Sequence, residues 1–128
     1  AKQIVELTGA SYRHLVPEVR RIVQESGSRL CAIDAINLLE SGLDALCDCT
    51  VAVTSPLELR VRRIMARDNI SEQYARLRIA AQKSDEYYRS KCDYELSNAA
   101  ETAEEFEAQA RDFFHRLIQE IQEKKQEA

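Results

Sequence analysis

The chain has 128 residues, 45% hydrophobic and 31% charged, with a formal net charge of −4. This is the balance of an ordinary soluble domain with a modest core, and no apolar run approaches the roughly 20 residues of a membrane span. The net negative charge argues against nonspecific nucleic-acid binding, and no long apolar stretch follows Lys2 as a signal peptide would require, so a cytoplasmic protein is expected.

Leu15, Val16, Val19, Ile22 and Val23 place one apolar stripe on a helix that Ser26-Gly27-Ser28 stops. Leu30-Cys31-Ala32-Ile33, ending at Asp34, reads as a strand buried on both faces. A short helix near Leu38 to Ser41 breaks at Gly42. Thr50 to Thr54, rich in β-branched residues, reads as a second buried strand. Ser55-Pro56-Leu57-Glu58 predicts a helix start with Ser55 as cap and Glu58 closing a capping box, and Leu57, Val61 and Ile64 form its inner stripe. Asp68-Asn69 ends that helix. Ser71 caps another through about Gln82, and a further segment spans Ser84 to Ser90. Tyr94 to Ser97 is a weak strand. Thr102 to Glu105 is a second capping box, opening a long helix whose face is Phe106, Ala110, Phe113, Leu117 and Ile121. Its charged end, Glu123 to Ala128, is expected to fray. Strands alternating with helices indicate an α/β parallel sheet.

Charge is unevenly placed. Six arginines lie between Pro56 and Arg78 against Glu58, Asp68 and Glu72, whereas nine acids follow from Glu95 against Arg111, Arg116, Lys124 and Lys125. A basic middle and an acidic tail suggest a local anion site. Arg60, Arg63 and Arg67, at i, i+3 and i+7, put guanidinium groups on one helical stripe suited to forked bonds with phosphate, or alternatively to surface ion pairs. Asp34 ends a predicted strand, where ligands bind in open parallel sheets, but it equally suits a helix cap. Asn98 is either a ligand-loop or a turn residue. Tyr87 and Tyr88 could stack on a base or cover a helix end. His14 and His115 are isolated, with no triad partner at suitable spacing. Cys31, Cys47, Cys49 and Cys92 carry no zinc-ligand spacing and read as reduced thiols, so no metal site is expected.

Five segments in register carry a family resemblance. They are Ala32 to Leu43 with Asp34 and Glu40, Cys47 to Thr54, Arg60 to Asp68, Ile70 to Gln82, and Cys92 to Asn98. Together they resemble the C-terminal part of dephospho-coenzyme A kinases, which are P-loop phosphotransferases. The resemblance implies a single partial P-loop-kinase-like domain over residues 1–128: core strands at about 29–55, an Arg-rich helix and lid at about 56–92, and a last strand and terminal helix at about 93–124. It implies that Arg63 and Arg67 lie at the hinge of an ATP lid, with Arg76 or Arg78 on the lid itself. Asn98 would contact adenine, Asp34 would be associated with magnesium, and Glu40 would orient the coenzyme substrate. The reaction implied is transfer of the ATP γ-phosphoryl group to the ribose 3′-hydroxyl of dephospho-coenzyme A.

This chain departs from the pattern at Ile36, where the family commonly has Pro, and at Ser11-Tyr12-Arg13, where a Thr-His-Pro triplet is usual. Its three glycines, Gly9, Gly27 and Gly42, cannot write G-x-x-x-x-G-K-[ST]. The phosphate cradle, its lysine and the catalytic base are therefore expected in an absent N-terminal half, with no catalytic residue in this chain and the isolated chain inactive. A vacancy in the sheet would favour self-association, or filling of the gap by Lys2 to Leu7 as a strand, although the resemblance makes that segment helical. An alternative function is a noncatalytic interaction module on a kinase-derived scaffold. A nucleic-acid binder fits the acidic tail less well.

Overall fold

A computed structural model describes the backbone of residues 2–127 and the side chains of residues 14–127. The chain divides into two units, Ala1–Thr50 and Val51–Ala128.

The first unit begins with α1, Lys2–Ser26. The segment Lys2 to Leu7 is thus helical and does not serve as a strand. Val16, Val19 and Val23 of the expected stripe are half-buried, and Leu15 and Ile22 are exposed. The helix stops because Ser26 Oγ donates to the Val23 carbonyl at 2.8 Å and Gly27 follows at φ 65°, a left-handed conformation that glycine adopts without a Cβ penalty. Leu30 to Ile33 forms no strand; the segment is irregular, with Leu30 57% exposed. An apolar run becomes a strand only when its backbone groups find a ladder partner, and no strand pairs with it among the described residues. Leu38 to Ser41 forms turns, and the helical element follows Gly42 as a 3₁₀ turn, Leu43–Leu46, in which Leu43 is buried.

The second unit is built on two parallel strands, β1 (Val51–Thr54) and β2 (Tyr94–Ser97), in register from Val51 opposite Tyr94 to Thr54 opposite Ser97. Parallel strands need a long crossover, and here three helices supply it: α2 (Leu57–Asp68), α3 (Glu72–Ala80) and α4 (Asp85–Lys91). Val61 is the buried centre of α2, but Leu57, expected inside, is 51% exposed at the helix's first turn. Ser55 does not cap α2. The N-cap is Pro56, without a side-chain bond, because Ser55 Oγ accepts from Arg60 Nε at 3.2 Å. Asn69 ends the helix at φ 52°, a left-handed position that asparagine tolerates. Ser71 and Ser84 cap α3 and α4 by accepting from the Tyr74 and Tyr87 amides, each at 3.2 Å.

Helix α5 spans Ala103–Glu127, so the charged terminus expected to fray stays helical through Glu127. Thr102 Oγ1 accepts from the Glu105 amide at 3.1 Å, and the Glu105 carboxylate reaches back to the Glu101 amide at 3.3 Å. All five residues of the predicted stripe are withdrawn from solvent: Leu117 is buried, and Phe106, Ala110, Phe113 and Ile121 are half-buried. Phe113 meets the Tyr94 ring edge-on at 6.5 Å, and Tyr94 donates its hydroxyl to Glu120 at 3.1 Å, which holds α5 against β2.

Candidate functional site

The carboxyl ends of β1 and β2 open into a cleft of about 250 Å³. Thr54 and Ser55, at the end of β1, line it. Beyond the strands, the Asn98 amide donates to the Thr54 carbonyl at 2.6 Å, which prolongs the ladder and fixes Asn98 at the rim. Arg60 and Arg63, one helical turn apart, enter from α2. Lys83 precedes α4, and Asp85 and Tyr88 come from that helix.

The two arginines are held differently. Arg63 donates only to uncharged oxygens: the Asn98 carbonyl and side-chain amide oxygen, each at 3.4 Å, and the Ala100 carbonyl at 2.8 Å. Its positive charge has no carboxylate partner among the described residues. Arg60 instead faces Asp85, to whose two oxygens its Nη2 donates at 2.8 and 3.0 Å. Its Nη2 also reaches the Ser55 carbonyl at 3.1 Å. Lys83 Nζ lies 4.3 Å above the Tyr87 ring and 3.2 Å from that hydroxyl. The cleft wall therefore carries three cationic side chains and one carboxylate, an arrangement that attracts anions.

Of the residues singled out in the sequence, Arg60, Arg63, Tyr88 and Asn98 line this cleft, and Arg63 and Asn98 bond there. Arg67, Arg76 and Arg78 do not line it. Arg67 and Arg78 both bond Asp68, at 2.9 and 2.5 Å, and together they hold its carboxyl at about 2, below the usual aspartate range, with the Arg67 hydrogen bond the larger influence. Arg76 spans Glu58 and Glu72, each at 2.8 Å, and these carboxylates raise its affinity for its proton. The expected single guanidinium stripe thus divides, with Arg60 and Arg63 facing the cleft and Arg67 turned to Asp68. Asp34 and Glu40 belong to the first unit, where both are exposed. Asp85 and Lys83 were not foreseen. Nothing in local spacing links Asp85 to an arginine 25 positions earlier; only the fold brings them together.

A second charged cluster flanks the cleft. Glu95 on β2 accepts from Arg89 at 2.5 Å and from Thr54 Oγ1 at 2.9 Å. The Arg89 bond first, and the Thr54 bond second, hold its carboxyl below the usual glutamate range. Among the described residues no three acidic, His or Cys side chains converge to hold a metal ion, and no helix is long and apolar enough to cross a membrane.

The family model described as dephospho-CoA kinase matches residues 7–104. The chain belongs to the dephospho-CoA kinase family. A dephospho-CoA kinase from Corynebacterium diphtheriae is 32% identical over 119 residues, covering 93% of this chain and 55% of that protein. One from Mycobacterium leprae is 43% identical over 82 residues, covering 63% of this chain and 20% of that protein. The crystal structure of TT1252 from Thermus thermophilus superposes with a TM-score of 0.58 at 33% identity, covering 88% of this chain and 60% of that one. The chain therefore carries part of a P-loop kinase fold of this family and spans about half or less of these curated relatives' length.

Proposed function

We propose that this chain contributes the nucleotide-lid portion of a dephospho-CoA kinase, and that the cleft beyond β1 and β2 receives the ATP end of the reaction. The observation that carries this is Arg63: a half-buried guanidinium without a carboxylate partner among the described residues, tied to the Asn98 loop at the carboxyl ends of parallel strands. Phosphoryl transfer needs positive groups around oxygens that gain charge, and a preorganised guanidinium meets that need without covalent chemistry.

In this reading Arg63 binds a phosphate of ATP, and Asn98 with its loop meets the adenine. Arg67, Arg76 and Arg78 belong to the hinge and lid, where they exchange carboxylate partners for phosphate as the lid closes. Asp34 and Glu40 serve the magnesium and coenzyme side. The phosphoryl acceptor is the ribose 3′-hydroxyl of dephospho-CoA. The described residues do not build a metal site of three or more ligands, so magnesium is assigned only as a companion of ATP and no step is derived through it.

The 128-residue sequence contains no G-x-x-x-x-G-K-[ST], so the chain taken alone is proposed to bind ATP weakly without phosphorylating dephospho-CoA. Titration calorimetry at low salt tests the binding. ATP should bind in the millimolar range or better, Arg63→Ala should weaken it about tenfold, and added salt should weaken it further. Absence of ATP binding, or binding indifferent to Arg63→Ala, would remove the assignment. Turnover of ATP that depends on dephospho-CoA, in the purified chain, would refute its inactivity.

A further inference from the structure

The short helix α4 is attached to the rest of its unit in an unusual way. None of its seven residues is buried. Its first residue, Asp85, is paired with Arg60, and near its other end Arg89 is paired with Glu95. Two ion pairs, with the half-buried Tyr87 and Tyr88 between them, hold this segment at the cleft. The Arg60–Asp85 pair is also the better shielded of the two, at 24% and 28% side-chain exposure against 50% and 32%.

The geometry of Arg60 gives that pair a consequence for ligands. A guanidinium offers two forked edges, Nε with Nη2 and Nη1 with Nη2, and Nη2 belongs to both. In this chain Nη2 is already engaged by both oxygens of Asp85 and by the Ser55 carbonyl. A phosphate cannot take a forked bond from Arg60 while Asp85 is in place, and it also meets the repulsion of that carboxylate. Arg63 lines the same cleft one helical turn further along α2, bonded to neutral acceptors.

We propose that Asp85 is a competitive latch: it holds Arg60 until a phosphate-bearing ligand, already drawn in by Arg63, displaces it, and its release frees the amino-terminal end of α4. The cleft thereby couples anion binding to movement of α4. This inference rests on the reading of the cleft as a phosphate site.

The experiment uses the whole 128-residue chain with ATP as the probe, calorimetry for affinity and amide hydrogen exchange for α4. In the unsubstituted chain, saturating ATP should speed exchange of the Tyr88 amide, which bonds the Ser84 carbonyl at 3.4 Å, while exchange within β1 slows or holds. This arm needs no variant to fold. Asp85→Asn should tighten ATP binding about threefold to tenfold, the range for losing one partly shielded competing charge. In an Arg60→Gln background the same substitution should tighten it by a smaller factor than in the unsubstituted chain, since only the repulsion of the carboxylate is then relieved and no guanidinium is set free. An equal factor in both backgrounds would reduce Asp85 to a repulsive charge and overturn the latch. Weaker ATP binding in Asp85→Asn would overturn the latch, because Asp85 would then be supporting Arg60 for the ligand. Unchanged affinity, or slowed α4 exchange on ATP binding, would overturn it too. If ATP binds and Arg63→Ala abolishes binding while Asp85→Asn has no effect, the latch alone fails. If no variant binds ATP, the cleft assignment fails and the competition fails with it.

Discussion

Two apolar runs of similar character lie on either side of residue 50, and they fold differently. Of the run Thr50 to Thr54, Val51 to Thr54 becomes β1, with Ala52 and Thr54 buried, because β2 lies beside it and pairs with it residue for residue. Leu30 to Ile33 stays irregular, with Leu30 largely exposed. The contrast extends to the units that contain them. Among the described side chains of the first, Leu43 and Thr50 are buried; the second buries Ala52, Thr54, Val61, Ala75, Leu96, Ala100 and Leu117. Hydrophobicity states what a segment can bury, but burial itself depends on a partner surface of matching geometry.

The largest effects should therefore follow this division. Leu117→Ala, within the α5 stripe, should cost about 2–5 kcal/mol, whereas Leu30→Ala should stay within about 0.5 kcal/mol. Urea unfolding followed by circular dichroism measures both. A comparable loss at Leu30 would break the comparison, since it would mean that the exposed run is structurally engaged.

The same reasoning explains what the sequence made legible. Helices α3 and α5 were readable to within a residue or two, because local chemistry specifies them: Ser71 and Thr102 as caps, and a stripe at helical spacing along α5. The bounds of α4 and β2 were also close, although the Ser84 cap emerged only in the structure. The strand at Leu30 and the cap at Ser55 were not readable, because both depend on groups distant in space. Ser55 looks like a cap by spacing, yet its hydroxyl is taken by Arg60, which is itself fixed by Asp85. The candidate cleft divides in the same manner. Arg63 and Asn98 stood out through helical spacing, strand position and family resemblance, but the carboxylate that holds the neighbouring Arg60 came from a crossover helix that no local pattern connects to the strands.

A moderate effect should sharpen the contrast inside the second unit. Helix α3 contains the fully buried Ala75, whereas no residue of α4 is more than half-buried. Ser71→Ala and Ser84→Ala each remove one cap bond and should each cost about 1 kcal/mol locally. The readouts should differ. Ser71→Ala should lower the global urea midpoint, because α3 is packed. Ser84→Ala should chiefly speed amide exchange in residues 85–92 with little change in the midpoint, because α4 can open by itself. Equal shifts of the midpoint would show that α4 is more firmly integrated than its exposure indicates.

The smallest effect separates arginines held by carboxylates from Arg63, which is held by carbonyls. Asp68 joins Arg67 at the end of α2 to Arg78 on α3, and its carboxyl is lowered from 3.8 to about 2. A carboxylate whose folded value is depressed contributes stability that is complete above its unfolded value and disappears as pH falls through the folded one. For Asp68 that window runs from about 4 down to about 2, and the group is well solvated, so the contribution is small and salt-sensitive. Glu58 and Glu95, whose carboxyls are also lowered by arginine partners, titrate in neighbouring ranges, so the raw acid limb does not isolate Asp68. The difference between the chain and its Asp68→Asn variant does. Their melting temperatures should differ most at about pH 6 in low salt, converge as pH approaches about 2, and lie closer together at about 0.5 M salt. Arg63, which bonds neutral oxygens, supplies the control: the loss from Arg63→Gln should be nearly constant over the same window. A difference for Asp68→Asn that persists at about pH 2 would show that Asp68 acts through packing or helix termination and not through its charge.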